Sequence, residues 1–454
     1  MKKLKKLLCI FAVICLLLCG CRKNGENSIE TGADIPTISE PSSNIAPDTS
    51  SKKPGASSAM PSTSSEQGGA SSSNPSSSNT SSTNVPSFNP QAGRTYHYYE
   101  NLNDEQKRIY EKINDAALNM KSGMISLGKT SVRDISLAFS AVRTDHPEYF
   151  WIPYSYINKI EGDNYYIAID YESDQSSVSF LCTKAQKQSM EAALKRKVAE
   201  IKRLVPAGAS DYEIELILHD YLCSKVTYMD TGANEMSYTA YGALVEGQAL
   251  CEGYARAMQL LCNEFSIPCT LVCGTSAERG ENHMWNMIKI GGEWYNLDVT
   301  WDDDDHNRLV THRYFNITDL LISKTHIVDP DFYALSTGDF GSGTVPSYNF
   351  SLPSCNSTKY HYPNQAGCTL TENAETSKNI ICSVMKAAAD KKAEYCEFYL
   401  SYDPSSGTTA TILAEKYALQ NCKNVVNLNS KHKITGMSVA LTGRTFIVFL
   451  NYGG

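Results

Sequence analysis

Two runs of alternating residues, 283–290 and 293–301, meet at Gly291-Gly292. A glycine pair between such runs is the turn chemistry of a two-residue hairpin, because both central positions need positive φ. The turn also sets the register. With Ile290 opposite Glu293, Trp285 falls opposite Asp298 and His283 opposite Thr300. His283 and Asp298 then share a face as diagonal neighbours, roughly 7–8 Å apart at the backbone and within reach of a side-chain hydrogen bond. The other face collects Met284, Ile288, Ile290, Tyr295, Leu297, Val299 and Trp301, which another element must cover.

That covering element is legible upstream. Tyr254, Ala255, Met258, Leu261, Cys262 and Phe265 recur at helical spacing until Pro268 forbids continuation. Cys251 opens this helix, where unpaired backbone N–H groups and the positive end of the dipole favour a thiolate. A cysteine at a helix start, a strand histidine and a turn-proximal acid are each ordinary. Together they supply the nucleophile, base and orienter of a thiol triad.

Three blocks occur in order: Gly247-Gln248-Ala249-Leu250-Cys251-Glu252-Gly253-Tyr254-Ala255, then His283-Met284-Trp285-Asn286, then Trp294-Tyr295-Asn296-Leu297-Asp298-Val299-Thr300-Trp301-Asp302-Asp303. As an ordered set they resemble the transglutaminase-like superfamily of cysteine enzymes, over about 211–319. The resemblance implies an α+β, papain-like transglutaminase core in which the nucleophile helix packs on an antiparallel sheet. It also implies Cys251 as nucleophile, His283 as general base and acid, and Asp298 as orienter. The chemistry implied is acyl transfer or hydrolysis at an amide of a peptide or protein, through a thioester. The oxyanion would be met by the Cys251 backbone N–H and a second donor, Gln248 or Tyr241. The cross-linking animal members carry tryptophan directly after the nucleophile, where Glu252 stands here, so amine and water both stay open as acceptors. The rival from another class is a non-catalytic surface module that uses the same scaffold to hold wall polymer or a partner protein.

The N-terminus points to export. A basic start is followed by an apolar run, 7–20, too short to span a bilayer comfortably. The run closes on Leu18-Cys19-Gly20-Cys21, which resembles a bacterial lipobox, with Cys21 as the lipidated residue. Two acyl chains, at roughly 0.8 kcal/mol per buried CH₂, anchor a protein stably. Residues 22–89 are a Ser-, Pro-, Thr- and Asn-rich tract with little to bury, the composition of a disordered stalk. The expected location is therefore the extracytoplasmic face of a cell membrane. Loss of Lys2, Lys3, Lys5 and Lys6 with the leader takes Lys+Arg from 41 to 37 against 49 acids, and the net charge from −8 to −12. An acidic surface of this kind speaks against nucleic acid as a partner.

The expected organisation is a leader at 1–20, a stalk at 21–90, an α+β domain at 91–206, the transglutaminase-like domain at 207–340 and a small α/β module at 345–454. Within these, Ser210 and Glu213 form a capping box before a helix at 211–223. The aromatics Tyr149, Phe150, Trp151, Tyr154 and Tyr156 read as core, with a binding surface for a ligand or polymer as the alternative. In the last module a helix is expected at 408–419. Eleven cysteines remain after the leader and Cys21, and sequence leaves paired and buried free thiols equally open. No cysteine spacing matches a zinc site, so no metal or cofactor is expected. Asp302 to Asp305 read as a solvated acidic turn, and His306 and His312 show no partner.

Overall fold

The computed structural model describes residues 88–174, 176–229, 231–304, 309–329 and 350–453. The leader, Cys21 and nearly all of the stalk lie outside these, as do Asp305 and His306. Among the described residues no helix is long and apolar enough to cross a membrane.

Helices α1 (Asp104–Asn119) and α2 (Val132–Asp145) pack together beside three antiparallel strands, β1 (Ile125–Gly128), β2 (Ile157–Glu161) and β3 (Asn164–Ala168), with β3 central. Helix α1 starts on an Asn103–Gln106 capping box, and α3 (Lys184–Lys202) on Thr183 and Gln186. Helix α4 (Asp211–Lys225) starts on Ser210 and Glu213, the box its sequence announced. Phe150 and Trp151 are core, and the Trp151 indole donates to Ala117 O at 2.9 Å.

Helix α5 (Cys251–Glu264) lies against a four-stranded antiparallel sheet. Its strands are β4 (Cys269–Ser276), β5 (Asn282–Ile290), β6 (Glu293–Leu297) and β7 (His326–Val328), in the order β6-β5-β4-β7. Gly291 and Gly292 adopt φ of 59° and 90°, and Ile290 pairs with Glu293 as the turn requires. Pairing runs to Asn286 and Leu297 and stops there. Asp298 caps a single helical turn, α6 (Val299–Asp302), so the expected pairing of His283 with Thr300 does not form. This corrects the reading of Trp301 as part of the apolar strand face. The turn swings its indole to the histidine side, 5.3 Å from the His283 ring.

One hydrophobic core runs from Tyr98 to Phe315 and takes in residues on both sides of 206. A second core belongs to the C-terminal module. There α7 (Ala374–Asp390), α8 (Ala410–Lys416) and α9 (Leu419–Asn429) accompany strands β8 (Thr369–Leu370), β9 (Tyr395–Leu400), β10 (Ile434–Thr442) and β11 (Thr445–Tyr452), in the order β8-β9-β11-β10. The single helix expected at 408–419 ends early because Ala418 sits at φ 51°, in the left-handed region, where α9 begins. Among the described residues the cysteines form no disulfide with one another.

Glu215 on α4 is fully buried and accepts from Asn316 Nδ2 at 2.7 Å. Its Oε1 and the Asn316 Oδ1 are buried without a hydrogen-bond partner among the described residues. A proton on the carboxyl removes the buried charge and adds a donor. Burial pushes the Glu215 pKa up to about 8, against the opposing pull of the Asn316 bond. The folded pKa is thus above that of the unfolded chain, so folding takes up a proton between about pH 4.5 and 8. Stability falls with rising pH through that window, by up to about 1.4 kcal/mol per unit from this group. Glu215→Gln is expected to flatten this dependence and to raise stability relative to wild type at pH 8.5, measured by urea unfolding at pH 6 and 8.5.

Candidate functional site

Asp298 is the hub of the site. It is fully buried, at the end of β6. Its Oδ1 accepts from the backbone N–H of Thr300 at 3.0 Å and of Trp301 at 3.2 Å, capping α6. Its Oδ2 lies 2.6 Å from His283 Nε2 and 2.9 Å from His326 Nε2. Four donors thus meet the four acceptor positions of one carboxylate. Burial alone would raise its pKa, but His283 and His326 outweigh that and hold the carboxyl well below the usual carboxylate range. An ionised Asp298 accepts only, so the Nε2 of His283 carries the proton, and exchange with a nucleophile falls to Nδ1.

The diagonal contact of His283 and Asp298 predicted from the hairpin register is therefore formed. His326 was not legible. It lies on β7, a three-residue strand that pairs with β4 far from the hairpin in sequence, and nothing in its neighbourhood marks it. Burial lowers its pKa, partly offset by Asp298, which favours a neutral ring. Its Nδ1 sits 2.8 Å from Thr325 Oγ1, a hydroxyl able to donate to it. Trp301 packs 4.3 Å from the His326 ring, and Trp285 4.9 Å, so aromatic faces wall the two imidazoles.

Cys251 is the first residue of α5 and is buried. The start of this helix is tied down at several points. Asn286 on β5 donates to Ala255 O at 3.0 Å, one turn into α5 and three residues from His283. The Tyr254 hydroxyl donates to Asp303 Oδ2 at 2.5 Å, immediately after α6. Gly253 admits the close approach of segment 237–239, since a Cβ there would stand 2.5 Å from Ser237 O. Glu252, where the cross-linking enzymes carry tryptophan, is a buried anchor: its Oε1 lies 2.8 Å from Arg256 Nε and 3.2 Å from Arg143 Nη2. Helix α2 thereby grips the start of the cysteine helix.

The two oxyanion candidates occupy different settings. Tyr241 is half-buried with its ring 5.0 Å from that of Phe150, just before a π-helical turn, Gly242–Glu246. Gln248 is exposed on a two-residue strand that pairs in parallel with Thr227–Tyr228. Asp302 and Asp303 correct the reading of a solvated acidic turn: both are buried, Asp302 accepting from Tyr314 N at 3.0 Å and Asp303 from Tyr254. His312 also has partners, Asp220 and Glu397. A large cavity of about 1070 Å³, lined by Phe88, Tyr96, Trp151, Glu191, Leu260 and Glu264, lies at the far end of α5. A helix of 14 residues is about 20 Å long, which separates that cavity from Cys251.

A buried histidine–carboxylate pair at one end of a sheet, and a cysteine that opens the helix covering that sheet, are the elements of a papain-like arrangement. Residues 201–299 match the sequence model of the transglutaminase-like superfamily. That superfamily includes cysteine enzymes. Among solved structures, the chain is similar to a TGase at 14% identity and TM-score 0.23, over 32% of this chain and 43% of that one. It is also similar to a candidate cysteine protease from Cytophaga hutchinsonii at 15% identity and TM-score 0.21, over 35% of this chain and 65% of that one. The chain thus spans less than two thirds of either structure. No curated protein matches it.

Proposed function

We propose that this protein is a lipid-anchored thiol enzyme of the cell surface, with Cys251, His283 and Asp298 acting on amide bonds of peptides or proteins. The observation that carries this reading is the 2.6 Å contact of His283 Nε2 with a fully buried Asp298. It orients the imidazole and stabilises the imidazolium that forms once the ring takes the thiol proton. The Cys251 thiolate then attacks the amide carbonyl, and the imidazolium protonates the leaving amine. The resulting thioester passes to an amine, giving a cross-link, or to water, giving cleavage or deamidation. The Cys251 backbone N–H, with Gln248 or Tyr241, meets the oxyanion. Anchoring through Cys21 and the stalk at 21–90 would present this chemistry to other surface proteins.

The test exposes a surface-protein extract to the full chain and to Cys251→Ala, and reads both by mass spectrometry. New isopeptide links, deamidated side chains or cleavage products are expected with wild type alone. Identical profiles, with a polymer or protein retained equally by both, would instead identify a binding module.

A further inference from the structure

A second group of histidines and carboxylates lies apart from the Cys251 region, where α4, the segment after Asp303 and β9 meet. Asp220 Oδ1 stands 2.9 Å from His219 Nδ1 and 3.0 Å from His312 Nε2. The opposite nitrogen of each ring is held as well. His219 Nε2 is 3.3 Å from Asp302 Oδ2, and His312 Nδ1 is 2.9 Å from Glu397 Oε2. Tyr362 stacks on the His312 ring at 3.7 Å and fixes its plane. Both imidazoles and Asp302 are buried and the Glu397 side chain is 9% exposed, whereas the Asp220 side chain is 45% exposed.

A neutral imidazole has one N–H, and an ionised carboxylate only accepts. Four ring nitrogens here face carboxylate oxygens, so two neutral rings would leave two nitrogen lone pairs turned on oxygen. Added protons relieve this, either on the rings, which sets two imidazolium rings only 5.2 Å apart, or on a buried carboxyl such as Asp302; one dication among the inner nitrogens and Asp220 relieves it without either. Histidine ligands characteristically give their other N–H to a carboxylate. His312 Nδ1 is placed on Glu397 in this way, and His219 Nε2 stands between Asp302 Oδ2 at 3.3 Å and Cys223 Sγ at 3.7 Å.

We propose that His219 Nδ1, His312 Nε2 and Asp220 bind one divalent transition-metal ion of the zinc type, with Asp302 and Glu397 orienting the two rings. Two nitrogen donors disfavour calcium and magnesium, which take oxygen ligands. The three donor atoms lie within 4.8 Å of one another. Zinc bonds of about 2.0–2.2 Å place neighbouring ligand atoms roughly 3.3 Å apart, so the two contacts to Asp220 need open only by a few tenths of an ångström. The exposed edge of Asp220 is the entry path and leaves room for a water ligand. Because Glu397 belongs to the C-terminal sheet and His219 to α4, the ion would clamp the C-terminal module to the larger core.

The test strips the full chain with EDTA and titrates it with Zn²⁺ against a chromophoric chelator. It then repeats the titration with Co²⁺, whose visible absorption reports nitrogen and oxygen ligation, and follows thermal unfolding. Expected is one equivalent per chain that raises the unfolding temperature. It should be weakened at least tenfold in His312→Ala and in Asp220→Asn, and unchanged in His326→Ala. Asp220→Asn alters a half-exposed side chain, so it reports even where His312→Ala fails to fold. The His326→Ala control is needed because His283, Asp298 and His326 also bring donor atoms together. No saturable binding would overturn the proposal, as would binding kept in Asp220→Asn and lost in His326→Ala.

Discussion

Asp298→Asn is expected to lower turnover by about 10³–10⁴-fold while the protein stays folded, and Asp298→Ala to lower stability by roughly 3–5 kcal/mol as well. The two substitutions separate the carboxylate's roles. Asparagine keeps an oxygen for the Thr300 and Trp301 N–H groups, so α6 stays capped. Its NH₂, however, faces His283 Nε2, where a donor cannot meet a donor. The imidazole answers by moving its proton to Nδ1, the position that has to accept from the thiol. Alanine removes all four bonds at once, leaving two buried imidazole N–H groups and a helical turn without their acceptor. Urea unfolding and single-turnover kinetics on both variants check this. An Asp298→Asn protein with wild-type turnover would refute the orienting role. Because the folded carboxyl sits below its unfolded value, this stabilisation is in place above about pH 4 and is lost only as pH falls into the strongly acid range.

The Cys251→Ala protein is expected to lose at least about 10³-fold in any thioester-dependent activity while keeping the fold. Loss of one buried sulfur from a helix that remains anchored through Asn286 and Tyr254 changes stability little beside that. In the intact protein, iodoacetamide is expected to label Cys251 faster than any other cysteine at pH 6.5, about two units below the ordinary thiol pKa of roughly 8.5. His283→Ala should abolish that advantage, because the imidazolium that stabilises the thiolate is gone. Labelling at the rate of the other thiols, with or without His283, would favour the non-catalytic surface module.

How much of this site can be read from the chain depends on sequence distance. The His283–Asp298 contact is legible because one tight turn joins the two strands, and the alternation of side chains admits a single register. Cys251 is legible because helical periodicity and Pro268 bound its helix. Helix α4 follows from Ser210 and Glu213 in the same local way. What fails is also instructive. The alternation at Val299 to Trp301 continues a strand pattern, yet the Asp298 side chain offers the backbone a better bond and turns the chain into α6. Asp302 and Asp303 are hydrophilic by type and buried in fact, because His219 and Tyr254 arrive from other elements to pair with them.

His326, His312 and Glu397 mark the limit of local reading. Each meets its partner across 28 to 92 positions, through strands and loops whose own sequences carry no signal of the encounter. Turn chemistry, capping and periodicity act over a few residues, and those determined the hairpin, the cysteine helix and the pairing of His283 with Asp298. Which distant imidazoles share a carboxylate is set by how the sheet, α4 and the C-terminal module pack. That is decided only when apolar surface is buried across the whole molecule, and the tertiary structure alone records it.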